Sequence, residues 1–250
     1  MPILCIAAAQ SISVPGNLAA NITRHCAFVE KAASAGVQLL LFPEMSLSGY
    51  EPELVASCVV EPDGEKLAPL RELARKHGMT LVLGAPLASA AGEPYIGAIV
   101  LFADGSHLVY RKRHLHHSEE PWASQGSADA CSFVLHGERF ALAICADTNH
   151  AEHAAAAAAT GAAFYLAGSL LSQNAYAADA AALQGHALQH GYGVLLANHG
   201  GPSGDYVAAG RSAFWDAQGQ RVGCTNGPGE RLLLLRREQG HWVSETIELA

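Results

Sequence analysis

Three apolar runs of this chain each end abruptly in a side chain capable of chemistry. LLLFPEMSLSGYEP leads from Leu39–Phe42 through Pro43 to Glu44. LVYRKRHLHHSEEPW leads to Lys112, with Glu119 and Glu120 following in the same segment. FALAICADTNH ends in Cys145, then Ala146 and Asp147. A rigid sheet aims residues at its strand ends while the adjoining loops admit a ligand, so these are the positions where reactive groups can be brought together. A Cys, a Lys and a Glu form a coherent set. The thiolate is the attacking species and a nearby ammonium favours it. A carboxylate beside the thiol can take its proton and later activate water. The same Lys, with a backbone N–H after the Cys, can hold the oxyanion of a tetrahedral intermediate, where losing one donor costs roughly 2.7–4 kcal/mol of barrier. Together they describe acyl transfer from a carbonyl or nitrile carbon through a thioester.

Taken singly, each signal is weak: a Cys at a strand end is usually a small core residue, a Lys after a strand is usually solvated, and a Glu after Pro is usually in a turn. The elements that must position them read as short apolar strands alternating with helices. Strands are expected at 3–9, 37–42, 80–83, 96–102, 107–111, 133–135, 140–144, 164–167, 194–197, 212–216, 221–224, 231–235 and 242–247. Helices are expected at 17–35, 67–77, 152–160 and 175–190. Asp104-Gly105 and His136-Gly137 mark hairpins. Strands joined partly by helices and partly by hairpins imply a mixed sheet, or two sheets with helices outside. With no repeat, linker or compositional break, residues 1–250 read as one domain.

Composition narrows the class. Half of the residues are apolar and 15% are charged, which excludes a disordered chain. The net charge of −8 with no basic block argues against a nucleic-acid partner. Six scattered cysteines with no C-x-x-C pair suit reduced thiols in the cytoplasm. The uncharged stretch 154–171 is Ala/Gly/Ser-rich and broken by Gly161, so a buried helix and strand explain it better than a membrane span.

In their order and local sequence, the three strand ends resemble the motifs of the nitrilase superfamily of carbon–nitrogen hydrolases. FPEMSLSGYEP resembles the first, YRKRHL the second and ICADTNHAEH the third, and LLANHGGPSGDYVAAGRSAFWDAQGQ resembles the family's C-terminal region. The resemblance covers nearly the whole chain. It implies an α+β fold, a four-layer αββα sandwich of two mixed sheets, and Glu–Lys–Cys catalysis with neither metal nor cofactor. It also implies a homodimer or larger homo-oligomer built through a helical face. Carried over, Glu44 is the general base, Lys112 the oxyanion-stabilising cation, Cys145 the nucleophile and the Ala146 N–H the second oxyanion donor. A second catalytic carboxylate falls on Glu119 or Glu120, with the loop spacing favouring Glu119. Tyr50 and Ser169 fall where members line the pocket. Cys-x-Asp in place of Cys-Trp-Glu favours an amidase or carbamoyl hydrolase over a true nitrilase. The expected activity is therefore hydrolysis of a small amide, with an acyltransferase or a catalytically silent binding homologue as alternatives. Thr148-Asn149-His150 and His186-Ala187 stand where several branches carry arginines, which puts recognition of a substrate carboxylate in doubt. The small residues Ala146, Ala167 and Gly168 suggest room at the site.

Thirteen histidines invite a metal reading: His186 and His190 are spaced i, i+4, His150 and His153 i, i+3, and His114, His116 and His117 cluster. No H-E-x-x-H accompanies them, so structural roles are expected, with His150 able to face the pocket. Gly201-Pro202-Ser203-Gly204 is one residue too short for a serine nucleophile elbow.

Overall fold

The computed structural model describes residues 4–90, 92–127 and 129–249; Ile3, expected to begin the first strand, lies outside the described residues. Along the chain come β1 (Leu4–Gln10), α1 (Leu18–Ser34), β2 (Leu39–Leu41), α2 (Ala68–His77), β3 (Thr80–Leu87), β4 (Tyr95–Leu101), β5 (His107–Arg111), β6 (Ser132–Leu135) and β7 (Glu138–Ile144). They are followed by α3 (Ala151–Ala159), β8 (Phe164–Ser169), α4 (Tyr176–His190), β9 (Gly193–Asn198), β10 (Ala213–Trp215), β11 (Arg221–Cys224), β12 (Arg231–Glu238) and β13 (His241–Glu248).

Two mixed sheets result, with strand orders β13-β12-β1-β2-β3-β4-β5 and β11-β10-β9-β8-β7-β6. β2 lies parallel to β1 and β3, and β8 is parallel to β7 and β9; the hairpin pairs β4–β5 and β6–β7 are antiparallel. The central strands are apolar on both faces because both faces are covered. In β1, Leu4, Ile6 and Ala8 enter the core between the sheets, while Cys5, Ala7 and Ala9 enter the core beneath α1 and α2. In β8, Phe164 and Leu166 face the opposite sheet, and Tyr165 and Ala167 face α3 and α4. Three apolar layers thus separate four structural ones, the αββα arrangement expected. α1 begins at Asn17, whose side-chain oxygen accepts from the Ala20 N–H at 3.1 Å, satisfying one of the free donors of a helix start.

The differences from the sequence reading are in extent. β3 continues through Gly84 and Pro86 to Leu87, paired across to Tyr95, and β12 continues through two arginines to Glu238 because β13 pairs along its whole length. β2 contracts to three residues between its parallel neighbours. No helix among the described residues is long and apolar enough to cross a membrane.

Candidate active site

Glu44 stands where the chain leaves β2. The Phe42 N–H donates to Val82 O and the Leu47 N–H to Gly84 O, so the turn is stitched along β3. This segment is pressed between the sheets. A Cβ on Gly84 would lie 2.1 Å from Pro43 O, and one on Gly168, in the opposite sheet, 2.8 Å from Phe42 O. Only glycine fits at either position. The Glu44 carbonyl accepts a 2.6 Å hydrogen bond from Nε2 of buried His199; burial lowers that imidazole to about 4 and keeps it neutral.

Lys112 follows β5, its N–H donating to Ile96 O. Its ammonium is sealed from solvent and donates to Glu44 Oε1 at 2.6 Å and to Glu119 Oε1 at 2.7 Å. Glu119 also accepts from the Tyr50 hydroxyl at 2.7 Å and, through Oε2, from the His116 N–H at 2.7 Å. Glu120, its neighbour, is exposed. Burial works against the Lys112 charge, but the carboxylates of Glu44 and Glu119 more than offset it and hold the ammonium firmly charged. Burial raises the Glu44 carboxyl well above the usual range; Lys112 pulls it back and the like charge of Glu119 pushes it further up. Among the described residues Glu44 Oε2 is buried with no hydrogen-bond partner in range, while the nearby Cys145 thiol slightly lowers the carboxyl.

Cys145 ends β7 with φ +43°, a left-handed conformation that costs a non-glycine residue about 1–2 kcal/mol. Its Sγ lies 3.9 Å from Leu170 O. The sequence reading has a nearby ammonium favouring the thiolate and a carboxylate taking the thiol proton, and here the carboxylate's part is the larger. Burial, and next the charge of Glu44, push the thiol well up, and Lys112 only partly opposes them, because its charge already serves two carboxylates. The resting sulfur is a thiol that needs a base. The turn after it is anchored by buried Asp147: Oδ2 accepts from the Ile144 N–H at 3.0 Å and the Tyr110 hydroxyl at 2.7 Å, and Oδ1 accepts from the His114 N–H at 2.8 Å. His153 links the Tyr110 and Tyr165 hydroxyls behind it, at 2.9 and 2.8 Å.

Glu44, Glu119, Cys145, Ala146 and Tyr50 line one cavity of about 180 Å³. Lys112 is not among the lining residues, but its ammonium is hydrogen-bonded to the two carboxylates that are. Ser169 is fully buried, its hydroxyl has no partner, and it is not on the cavity wall; Leu170, Leu171 and Ser172 supply that wall. Of the three small residues, Ala146 alone reaches the cavity: Ala167 packs in the outer core and Gly168 accommodates the Glu44 segment. His150 is stacked on His114 and is not among the lining residues, while its neighbour Asn149 is. The sequence reading also missed Asp179 and Tyr206, which come from segments remote from the three motifs.

His186 donates to Thr148 O and His190 stacks on Tyr192, so that pair is engaged in the fold. Among the described residues, His114, His150 and Glu152 bring potential ligand atoms within 4.8 Å of one another. The two imidazoles are stacked, 3.8 Å between centroids and 11° from parallel, so their in-plane lone pairs run side by side rather than converging on an ion.

The family model for carbon–nitrogen hydrolases matches residues 5–237. An omega-amidase from Pongo abelii is 30% identical over 142 residues, 53% of this chain and 51% of that protein; the chain thus spans about half the length of the curated relatives it matches. The backbone is similar to a cysteine-to-serine variant of the Nesterenkonia AN1 amidase from the nitrilase superfamily (TM-score 0.83, 26% identity, 92% of this chain and 90% of that one). A further variant of that amidase (TM-score 0.82, 26% identity, 92% of each chain) shows the result of Michael addition of acrylamide at its active-site cysteine.

Proposed function

Because this chain belongs to the carbon–nitrogen hydrolase family, we propose that it is an amidase that cleaves the C–N bond of a small amide through a thioester on Cys145. One observation carries the reading: a buried carboxylate with a free oxygen, Glu44 Oε2, lines the same cavity as the Cys145 thiol. Glu44 takes the thiol proton as Sγ attacks the amide carbon. Lys112 Nζ and the Ala146 N–H receive the developing oxyanion. As the tetrahedral intermediate collapses, the C–N bond breaks and Glu44 returns the proton to the leaving nitrogen, releasing ammonia or an amine. Water then gives a proton to Glu44 and attacks the thioester, and the acid leaves with the thiol restored. Glu119, bonded to Lys112 and Tyr50, holds the ammonium against the second carboxylate and orients the amide. The strained backbone of Cys145 supports the same reading, since such conformations cluster at functional sites. The proposal extends to one catalytic domain spanning the chain, acting as a cytoplasmic homodimer.

The test is intact-mass spectrometry on protein incubated with short aliphatic amides, with ammonia release followed in parallel. Wild type should show an acyl adduct on Cys145, and Cys145→Ala should show none and lose turnover by at least about a thousandfold. Ammonia release by Cys145→Ala within tenfold of wild type rejects the mechanism. An adduct that discharges only to an added amine would make the protein an acyltransferase.

A further inference from the structure

Beyond the reactive groups, the cavity wall carries one carboxylate that the mechanism does not use. Asp179 lies in the first turn of α4 and lines the cavity that holds Cys145. It is half-buried and, within the described residues, its carboxylate has neither a hydrogen bond nor an ion pair. Burial raises its carboxyl, and no cation opposes this. Among the described residues the cavity wall offers no Lys or Arg to meet it, and its one basic side chain is His116, whose imidazole burial and then His117 hold below its ordinary value. Tyr50 and Tyr206 also line an adjoining hollow of about 540 Å³, edged by Glu53 and Asp205 and again without a Lys or Arg on its wall. A ligand approaching Cys145 from that side therefore crosses an acidic, aromatic threshold, a setting that attracts cations and repels carboxylates.

We infer that the substrate is a short amide whose acyl chain ends in an ammonium group, and that Asp179 pairs with that ammonium while the amide carbon meets Cys145. The inference rests on the amidase reading above. A cavity of about 180 Å³ equals the liquid volume of roughly six waters at about 30 Å³ each, room for a short-chain amide and not for a long one. An unpaired, partly desolvated carboxylate gains a charge-assisted hydrogen bond from such a ligand, whereas a substrate carboxylate would face Asp179 with no wall cation to receive it.

Three amides matched in length separate the charge states: 4-aminobutanamide, pentanamide and glutaramate. Ammonia release gives kcat/KM for each on wild type, Asp179→Asn and Asp179→Lys, and calorimetry gives binding of each to Cys145→Ala. Wild type should prefer the cation over the neutral amide by at least tenfold and disfavour the anion. Asp179→Asn should collapse that preference and Asp179→Lys should turn it toward glutaramate, a gain that misfolding cannot produce. A cation preference below twofold in wild type, or one that survives Asp179→Lys, overturns the inference while leaving the amidase reading intact. Ordered binding to Cys145→Ala with no ammonia from any of the three on wild type would do the reverse.

Discussion

Lys112 shares one positive charge between two buried carboxylates, and this sets how Glu44 and Cys145 ionise. Glu44 must be ionised to accept the thiol proton, and its carboxyl is raised by burial and by Glu119. The active form is therefore lost as pH falls through that raised value, and the acid limb of kcat/KM should sit above the ordinary glutamate value of about 4.3. Glu119→Gln removes one of the charges that raise Glu44, so the limb should shift to lower pH while the rate falls. Glu120→Gln, at an exposed position, should change neither. The normalised pH–rate profiles of the three proteins decide it: a limb unmoved in Glu119→Gln, or moved in Glu120→Gln, means that Glu119 does not act on Glu44. At this scale the sequence left the two acids open because they are adjacent and chemically identical. The backbone turn that gives the Trp122 and Ala123 N–H groups to Glu119 O is what accompanies one side chain inward. The state of Cys145 was not legible either, since it depends on how many carboxylates draw on Lys112 and on how deeply all of them are buried.

Three strand ends carry the reactive groups, and small residues in the neighbouring strands let them approach. Gly168→Ala should push a methyl against Phe42 O, costing about 1–3 kcal/mol as overpacking does and cutting turnover more than tenfold through displacement of Glu44. Gly185→Ala is the contrast: in α4, with nothing within 4 Å of an added Cβ, it should add about 0.4–1 kcal/mol of stability. Urea unfolding and ammonia release on both variants measure this, and a Gly168→Ala protein as stable and active as wild type would refute the wedge between the sheets. Alternating apolar residues bounded by turn signals made most elements legible, and the hairpin around Asp104-Gly105 formed as expected. The far half of β3 was hidden because Gly84 and Pro86 read as strand breakers, although Gly84 is needed for the turn carrying Glu44. The distal half of β12 was hidden because Arg236 and Arg237 read as loop until β13 supplies partners. Asp179 and Tyr206 were beyond local pattern, since a cavity joins residues that periodicity treats separately.

For the molecule as a whole, buried neutral histidines tie stability to pH. His25, stacked on Phe42 and hydrogen-bonded to Asn21 O and Ser46 Oγ, and His199 are both lowered by burial to about 4. Below about 6.5 the unfolded chain takes protons that these folded imidazoles refuse, so stability is lost as pH falls from about 6.5 toward 4. Together they should cost about 4 kcal/mol by pH 5. Glu44, raised in the folded state, runs the opposite way and offsets part of that loss. The urea midpoint should therefore fall between pH 7 and pH 5, and a level or rising midpoint would contradict the balance. The division of the reactive groups between the sheets has a consequence in time. Glu44 and Lys112 leave the seven-stranded sheet and Cys145 leaves the six-stranded one, so neither sheet alone owns a complete site. A chain recovering from denaturant that had regained its helices and both ladders of strands would still be inert until the two layers closed face to face and expelled the water between them.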